Sequence, residues 1–283
     1  MKILKTVCLI LALLTFCACS NDDNIQEDPQ RSPFDEIQLI GHMGDCVHAP
    51  ENTMPSFVYA ADSLGLHWIE CDPNVTKDGV IVLNHMQTID SHSNGTGNVS
   101  EMTYEELLQY DFGNPAKFGT KYKGTAICTA EEVLRFAKSR NIIIEFDFSH
   151  FDYTRENVQK LYDMVVAENY THNTIFEPSN EAQLNAIAEV TTSIPVIYVG
   201  CDAELIAPPI LDKFQFVVIG LNHRKVGDRT DLADKIHIMG YKAASGVINP
   251  VPENPIQKMN ELIDMGFDYI YSESIPYSAI IKN

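Results

Sequence analysis

Alternation of β-rich runs with amphipathic helical stretches is the feature that most restricts what this chain can fold into. From Ile37 onward, short runs rich in β-branched and aromatic residues alternate with such stretches, and no linker-like break divides them. Between Val158 and Val166, for example, apolar residues recur with the i, i+3, i+4, i+7, i+8 spacing of one buried helical face. This alternation predicts a parallel sheet covered by helices. The predicted strands are Ile37–Gly41, His67–Asp72, Val80–His85, Ile142–Phe148, Thr174–Glu177, Val196–Gly200, Phe216–Leu221, Ala243–Asn249 and Phe267–Ser272.

Two architectures fit this pattern, a closed (β/α)8 barrel and an open doubly wound sheet. Nine runs are one too many for the barrel, but an Asp-Gly pair between two of them is a strong hairpin signal. With the turn centred on Asp78, His85 falls opposite Cys71. His85 is therefore expected beside Glu70 and Asp72. Since no GxGxxG follows the first strand, we predict the α/β fold of a (β/α)8 TIM-type barrel with a small β-hairpin inserted after strand 2.

Ionisable residues fall at the C-terminal ends of the predicted strands, where such barrels carry their active sites. Glu70 and Asp72 are two residues apart on one strand and therefore face the same side. The same spacing relates Glu145 and Asp147 on the strand that begins at Ile142. Four converging carboxylates repel one another unless a cation lies among them. A hard divalent ion, Mg²⁺ or Ca²⁺, is the simplest cofactor for such a site.

Six motifs in the first half of the chain resemble those of the glycerophosphodiester phosphodiesterase family. The resemblance is strongest over residues 40–147 and extends to the C-terminus, where residues 266–270 are similar to the family's GxDxI element. In family order the motifs are His42-Met43-Gly44 (HRG), Ala49-Pro50-Glu51-Asn52-Thr53 (APENT), Glu70-Cys71-Asp72 (ExD), Thr76-Lys77-Asp78-Gly79 (TKDG), Val80-Ile81-Val82-Leu83-Asn84-His85 (VVxHD) and the turn Asn94-Gly95-Thr96-Gly97 (GxG).

This resemblance implies metal-dependent hydrolysis of a glycerophosphodiester to sn-glycerol 3-phosphate and an alcohol. His42 and His85 match the family's catalytic pair, one acting as general base and the other as general acid. The attacking oxygen is expected to come from water or from a neighbouring glycerol hydroxyl. The partner of the protein would then be a small phosphodiester substrate.

The resemblance also assigns ligands and substrate contacts. Glu70, Asp72 and Glu145 match the family's divalent-metal ligands. Glu51 and Asn52 lie in the APENT segment, where they are expected to bind substrate or to brace the metal shell.

Three departures from the family pattern all remove positive charge. Met43 replaces the arginine of HRG, Asp147 replaces a basic residue, and residues 85–93 lack the expected arginine. Asp147 is therefore a possible extra metal ligand.

The departures also leave alternatives open: a different phosphodiester, a lysolipid cleaved in a phospholipase-D-like way, or a non-catalytic binding barrel. Candidates to replace the lost charge are His48, His92 and Lys77. The remaining histidines, His150 among them, match no motif and are expected at the surface or in packing.

The N-terminus predicts export. Lys2 and Lys5 precede an apolar run to Ala18, which is shorter than the ~20 residues that span a bilayer and is typical of a secretory signal. Residues 1–18 are therefore predicted to be a signal peptide. A small residue before Cys19 and the acidic tail after it resemble a bacterial lipoprotein cleavage site. Cleavage there would make Cys19 the lipidated first residue; ordinary cleavage near Ala18 would leave it a plain thiol.

The remaining organisation follows from composition. Residues 19–36 are polar and acidic and are predicted to be a lipidated, disordered tether, and residues 37–283 form the phosphodiesterase barrel domain. The protein is then expected to be anchored to a bacterial membrane, facing the periplasm or the cell surface. Twenty Lys and Arg against 39 Asp and Glu exclude the basic surface that nucleic acid requires. The oligomeric state stays open.

Overall fold

The computed structural model of this 283-residue chain describes Phe34 and residues 36–201, 204–227, 229–248 and 251–280, without the side chains of residues 223 and 225. The predicted signal peptide, Cys19 and most of the predicted tether lie outside the described residues. Among the described residues, no helix combines the length and the apolar character needed to cross a bilayer.

Eight parallel strands close into a barrel, which confirms the predicted fold. Each strand pairs with its neighbours around the ring, and the last strand pairs with the first. In ring order the strands are β1 (Gln38–Gly41), β2 (Trp68–Cys71), β5 (Ile143–Asp147), β6 (Thr174–Glu177), β7 (Val196–Tyr198), β8 (Val217–Leu221), β9 (Lys242–Gly246) and β10 (Tyr269–Ser272).

The two strands outside the barrel form the predicted hairpin. Strand β3 (Pro73–Val75) pairs antiparallel with β4 (Ile81–Leu83), and Pro73 lies opposite Leu83. The same register, continued by two residues, places Cys71 opposite His85, as the turn at Asp78 predicts. Gly79 has φ = 79°, a conformation that glycine adopts without steric cost. The Asp-Gly turn therefore fixes where His85 enters the barrel mouth.

Helices surround the barrel and begin at clear capping signals. Thr129 Oγ1 accepts a hydrogen bond from the Glu132 N–H, and Glu132 accepts one from the Thr129 N–H in return. The helices are α1 (Met54–Val58), α2 (Tyr104–Leu107), α3 (Pro115–Phe118), α4 (Ala130–Arg140), α5 (Arg155–Ala167), α6 (Glu181–Ala188), α7 (His223–Val226), α8 (Leu232–Ile238) and α9 (Pro255–Asp264). A π-helical turn, Tyr59–Ser63, continues α1.

The hydrophobic core has an outer layer between strands and helices and an inner layer inside the barrel. Phe34 belongs to the inner layer and lies against residues at the N-terminal ends of the strands. Its ring stacks on Phe216 at 4.6 Å and meets Trp68 edge-on at 5.6 Å. The Tyr269 hydroxyl donates to the Phe34 carbonyl at 2.7 Å. This end of the barrel is therefore filled, and the opposite end holds the polar site.

Cysteine contributes packing to this core. Cys46, Cys71, Cys128 and Cys201 are all buried, and none of these described cysteines forms a disulfide. Burial raises the pKa of the Cys71 thiol well above its ordinary value. These thiols therefore behave as small apolar groups.

Candidate active site

The four predicted carboxylates meet at the C-terminal mouth of the barrel because β2 and β5 are neighbouring strands. Glu70 lies opposite Glu145 in this pair of strands, and the intervening Cys71 and Phe146 pack in the outer core. Side chains alternate across a strand, so both acids of each strand face inward. The shared inward orientation that the two-residue spacing predicts is therefore confirmed.

Three of these carboxylates bring oxygen atoms together. One oxygen each from Glu70, Asp72 and Asp147 lies within 4.8 Å of the others. Glu70 Oε2 accepts the Met43 N–H at 2.8 Å, whereas Glu70 Oε1 is buried without a partner. Burial, followed by the charges of Asp72 and Asp147, raises the pKa of Glu70 well above its ordinary value. An unpartnered buried oxygen among carboxylates fits a hard divalent cation.

The ionised form of Asp147 is destabilised in the same way as that of Glu70. Burial and then the charge of Asp72 raise its pKa to about 7. Its Oδ1 accepts the Ser149 N–H at 2.7 Å. Because a nearby cation favours ionised carboxylates, its binding would restore the charged form of this group.

Glu145 has a different environment from the other three acids. It is fully buried; its Oε2 accepts the indole N–H of Trp68 at 2.7 Å, and its Oε1 accepts the hydroxyl of Tyr271 at 2.6 Å. The same hydroxyl lies 2.7 Å from Glu177 Oε2. A phenol has one proton, so the second short contact requires a protonated carboxyl group. Burial, followed by the charge of Asp147, raises the pKa of Glu177 well above its usual range.

Glu177 and Tyr271 are site residues that sequence reasoning missed. Both lie on predicted strands, and Glu177 ends one of them, which was the available signal. Their partners, however, come from strands far apart in sequence. Only closure of the barrel brings β10 across from β5 and β6.

The two predicted histidines lie in opposite electrostatic environments. A hydrogen bond to Asp72, with Nδ1 2.9 Å from Oδ1, is the main cause that raises the pKa of His85 to about 9. Burial is the main cause that lowers the pKa of His42 to about 4, and its Nδ1 has no partner. At neutral pH one imidazole is therefore charged and the other is neutral. Pairs separated in this way can divide acid and base roles.

The APENT segment braces the site from the loop between β1 and α1. Asn52 Nδ2 donates to Asp72 Oδ2 at 2.7 Å, and Asn52 Oδ1 accepts the Asp72 N–H at 2.9 Å. Glu51 instead faces His92, with 3.1 Å between Oε1 and Nε2. Burial is the main cause that raises the pKa of Glu51 to about 7.

The structure also shows where the three residues that could replace the lost positive charge lie. His92 contacts Glu51, as described above. His48 pairs with Asp45 at 3.0 Å. Lys77 lies at the hairpin turn, where its N–H donates to the Met102 carbonyl.

Lys117 and His150 lie near the site, although the sequence does not predict them there. Lys117, on α3, donates to the Cys46 carbonyl at 2.5 Å, and its charge lowers the pKa of both Glu51 and His92. The His150 ring meets the His85 ring edge-on at 5.7 Å. Neither residue falls in a family motif, so no local signal identifies it.

A cavity of about 350 Å³ opens beside the acids. Its polar lining includes His42, Glu70, Asp147, Glu177 and Asn222. Its large aliphatic lining residues are Val199, Leu221 and Ile248. None of the described lining residues is Lys or Arg.

Comparison with known proteins agrees with this geometry. The model of the glycerophosphoryl diester phosphodiesterase family matches residues 42–272. A glycerophosphodiester phosphodiesterase of Caldanaerobacter subterraneus is 30% identical over 159 residues, covering 56% of this chain and 64% of that protein. Human glycerophosphodiester phosphodiesterase 1 is 30% identical over 131 residues, covering 46% of this chain and 39% of that protein. The chain thus spans less than two thirds of the length of these curated relatives.

The fold has close counterparts among solved structures. An Oleispira antarctica phosphodiesterase, solved in complex with the product sn-glycerol-3-phosphate, superposes with a TM-score of 0.72 at 21% identity. That similarity covers 87% of this chain and 97% of the other. A glycerophosphodiester phosphodiesterase from Agrobacterium tumefaciens gives a TM-score of 0.72 at 18% identity, over 87% of this chain and 100% of the other. The family model spans most of the barrel, and the chain therefore belongs to the glycerophosphoryl diester phosphodiesterase family.

Proposed function

We propose that this protein hydrolyses glycerophosphodiesters to sn-glycerol 3-phosphate and an alcohol, using a divalent cation, Mg²⁺ or Ca²⁺, and the pair His42 and His85. The observation that carries the proposal is the meeting of two oppositely poised histidines and a carboxylate cluster at the mouth of a barrel of this family. The product bound to the Oleispira antarctica relative supports the same substrate class.

The chain's own residues divide the proton transfers. Neutral His42 accepts the proton of the attacking oxygen, and charged His85 donates a proton to the leaving alcohol. Asp72 keeps His85 charged and oriented, and Asn52 fixes Asp72 from its other side. A cation held by the carboxylates would offset charge on the phosphoryl oxygens in the transition state.

Release of sn-glycerol 3-phosphate from a panel of glycerophosphodiesters tests the proposal. The full chain is assayed in EDTA and then with Mg²⁺ or Ca²⁺. We expect cation-dependent turnover that is abolished in His42→Asn and retained in His172→Asn, whose side chain is exposed outside the site. Absence of turnover in a folded protein that binds the cation would exclude ordinary glycerophosphodiester hydrolysis and leave a different substrate or a binding role.

A second candidate substrate is a phosphodiester with an apolar alcohol, such as a lysolipid. The aliphatic lining residues Val199, Leu221 and Ile248, and the absence of Lys and Arg among the described lining residues, favour this candidate. Including a lysophospholipid in the panel compares the two substrates by kcat/KM. A cyclic phosphate product would identify attack by a hydroxyl of the substrate, whereas a linear product identifies attack by water.

We also propose that the protein is exported and anchored to a bacterial membrane through lipid on Cys19. The support is the sequence around the predicted cleavage site. Metabolic labelling with a radioactive fatty acid is expected to mark the wild type and not Cys19→Ala. Equal labelling of both proteins, or of neither, would contradict the anchor.

A further inference from the structure

Strand β5 offers two inward acidic side chains at different depths. Glu145 lies opposite Glu70, whereas Asp147 lies two residues nearer the C-terminal end and opposite Glu177. Glu145 is fully buried, and Asp147 lines the cavity. The two acids of one strand therefore meet different partners.

Both oxygens of Glu145 already accept hydrogen bonds from protein donors. These donors are Trp68 Nε1 at 2.7 Å and the Tyr271 hydroxyl at 2.6 Å. Trp68 is fully buried and its indole can only donate, so moving Glu145 away would leave that N–H unpaired. An unpaired buried donor is costly, and Glu145 is therefore held in place with or without a cation.

Asp147 is placed to share a cation with Glu70 of β2 and with Asp72, which directly follows β2. Two oxygens bound to one ion at about 2.4 Å each can be at most about 4.8 Å apart. The oxygens of Glu70, Asp72 and Asp147 satisfy this limit. Independently, Glu70 Oε1 is buried without a partner, and Glu70 is only 2% exposed. An acceptor in that state points to a ligand inside the cluster.

The charge of the mouth leads to the same assignment. Asp147 stands where the family pattern carries a basic residue, so a positive group is replaced by a negative one beside Glu70 and Asp72. The described residues that line the cavity include no Lys or Arg to balance this change. A cation in direct contact with Asp147 would remove the repulsion.

We propose that Asp147, and not Glu145, completes the divalent-cation site with Glu70 and Asp72. Glu145 is then a positioning residue, which ties Trp68 of β2 to Tyr271 of β10 beneath the site. This assignment rests on the function proposed above and identifies the ligands that serve it. The carboxylate that replaces the family's basic residue at position 147 thus serves as a ligand to the cation.

Calorimetric titration of the full, EDTA-stripped chain with Ca²⁺ and Mn²⁺ tests the assignment in two isosteric variants. Asp147→Asn removes the proposed ligand charge and is expected to weaken binding by about 100-fold or more. Glu145→Gln keeps an oxygen for Trp68 and an NH₂ group for Tyr271, so binding is expected to change by less than about tenfold. Mutating a partner outside the ligand shell typically costs about 10–100-fold in affinity. Glu145→Gln should cost less than this because it keeps both hydrogen-bond contacts, whereas Asp147→Asn weakens a direct ligand.

The melting temperature of each metal-free variant checks that it folds. Asp147→Asn is expected to melt no lower than the wild type, because the substitution removes a repelling charge. Two results would overturn the assignment, provided that the wild type binds Ca²⁺. One is loss of Ca²⁺ binding in Glu145→Gln, and the other is unchanged Ca²⁺ binding in Asp147→Asn. Either result would leave the proposed hydrolysis intact. A wild type that neither binds a cation nor hydrolyses the panel would overturn both.

Discussion

At the scale of single residues, the two histidines differ because their surroundings differ. His85 accepts stabilisation from an ionised Asp72, whereas His42 is buried against the barrel wall with one ring nitrogen unpaired. The sequence alone places both residues at the mouth but assigns neither its charge. Burial and partner contacts therefore decide the charge of each imidazole, and the proposed division into acid and base follows from that difference.

A titration of the metal-free protein by ¹⁵N NMR of the imidazole nitrogens should separate the two. We expect His85 to lose its proton only near pH 9 and His42 to gain one only near pH 4. Added Ca²⁺ should lower the pKa of His85, because the cation competes for the negative charge of Asp72. The resonances of each imidazole are assigned by their disappearance in His42→Asn or in His85→Gln. Two overlapping titrations near pH 6.5 would contradict the proposed division of roles.

Lys117 is the residue we expect to replace part of the positive charge that this chain lacks relative to the family pattern, and so to contact the phosphate of the substrate. Its charge acts on Glu51 and His92 at the mouth. Lys117→Met should raise KM by about tenfold or more with a smaller change in kcat, since a charge-assisted contact contributes about 1.5–3 kcal/mol. Steady-state kinetics measure the change. Lys121→Met, which removes a nearby lysine that donates to the His48 carbonyl, is the control and should show the smaller effect.

At the scale of elements, Asp268 joins three elements at the N-terminal end of the barrel. It accepts hydrogen bonds from the Ala243 N–H and from Lys242 Nζ, both at 2.8 Å, and contacts His237 Nε2 at 2.8 Å. Burial would raise the pKa of Asp268, but these hydrogen bonds lower it overall. Residues at this end of a barrel serve stability rather than catalysis.

Asp268→Asn should therefore destabilise the fold by about 1–3 kcal/mol while hydrolysis is unaffected. Because the folded pKa is depressed, the stability from this group is present above the unfolded value near 3.8 and is lost as pH falls through the folded value. Urea unfolding at pH 7 and at pH 3 measures both effects. The exposed Asp264→Asn is the control, and equal losses in the two variants, or an undiminished loss at pH 3, would contradict this account.

The elements themselves were largely predictable from the sequence. Strand periodicity and the Asp78 turn predict the ring of strands and the register that brings His85 to Asp72. The contacts that distinguish Glu145 from Asp147 were not predictable, because Trp68 and Tyr271 approach from opposite ends of the chain. The position of Lys117 likewise depends on how α3 packs over the mouth, which no local pattern encodes.

At the scale of the whole molecule, the chain carries 39 acidic residues against 20 basic ones. The acidic mouth therefore belongs to a strongly anionic protein. Cations that bind only the native state stabilise it by about 2.7 kcal/mol at 100 times their Kd. For a domain of this size we expect Ca²⁺ to raise Tm by roughly 5–10 °C, and EDTA to reverse the shift. Differential scanning fluorimetry measures the change. Glu70→Gln should lose most of the shift, and an undiminished shift in that variant would place the cation elsewhere.

Phe34 lies among the N-terminal strand ends, and the mouth opens at the opposite pole of the barrel. Chain that continues from Phe34 toward the N-terminus therefore leaves the barrel at the pole that carries no site. An attachment made N-terminal to Phe34 is for this reason expected to leave entry to the mouth open. Forms of the protein with and without such an attachment should then turn over a soluble substrate at the same rate.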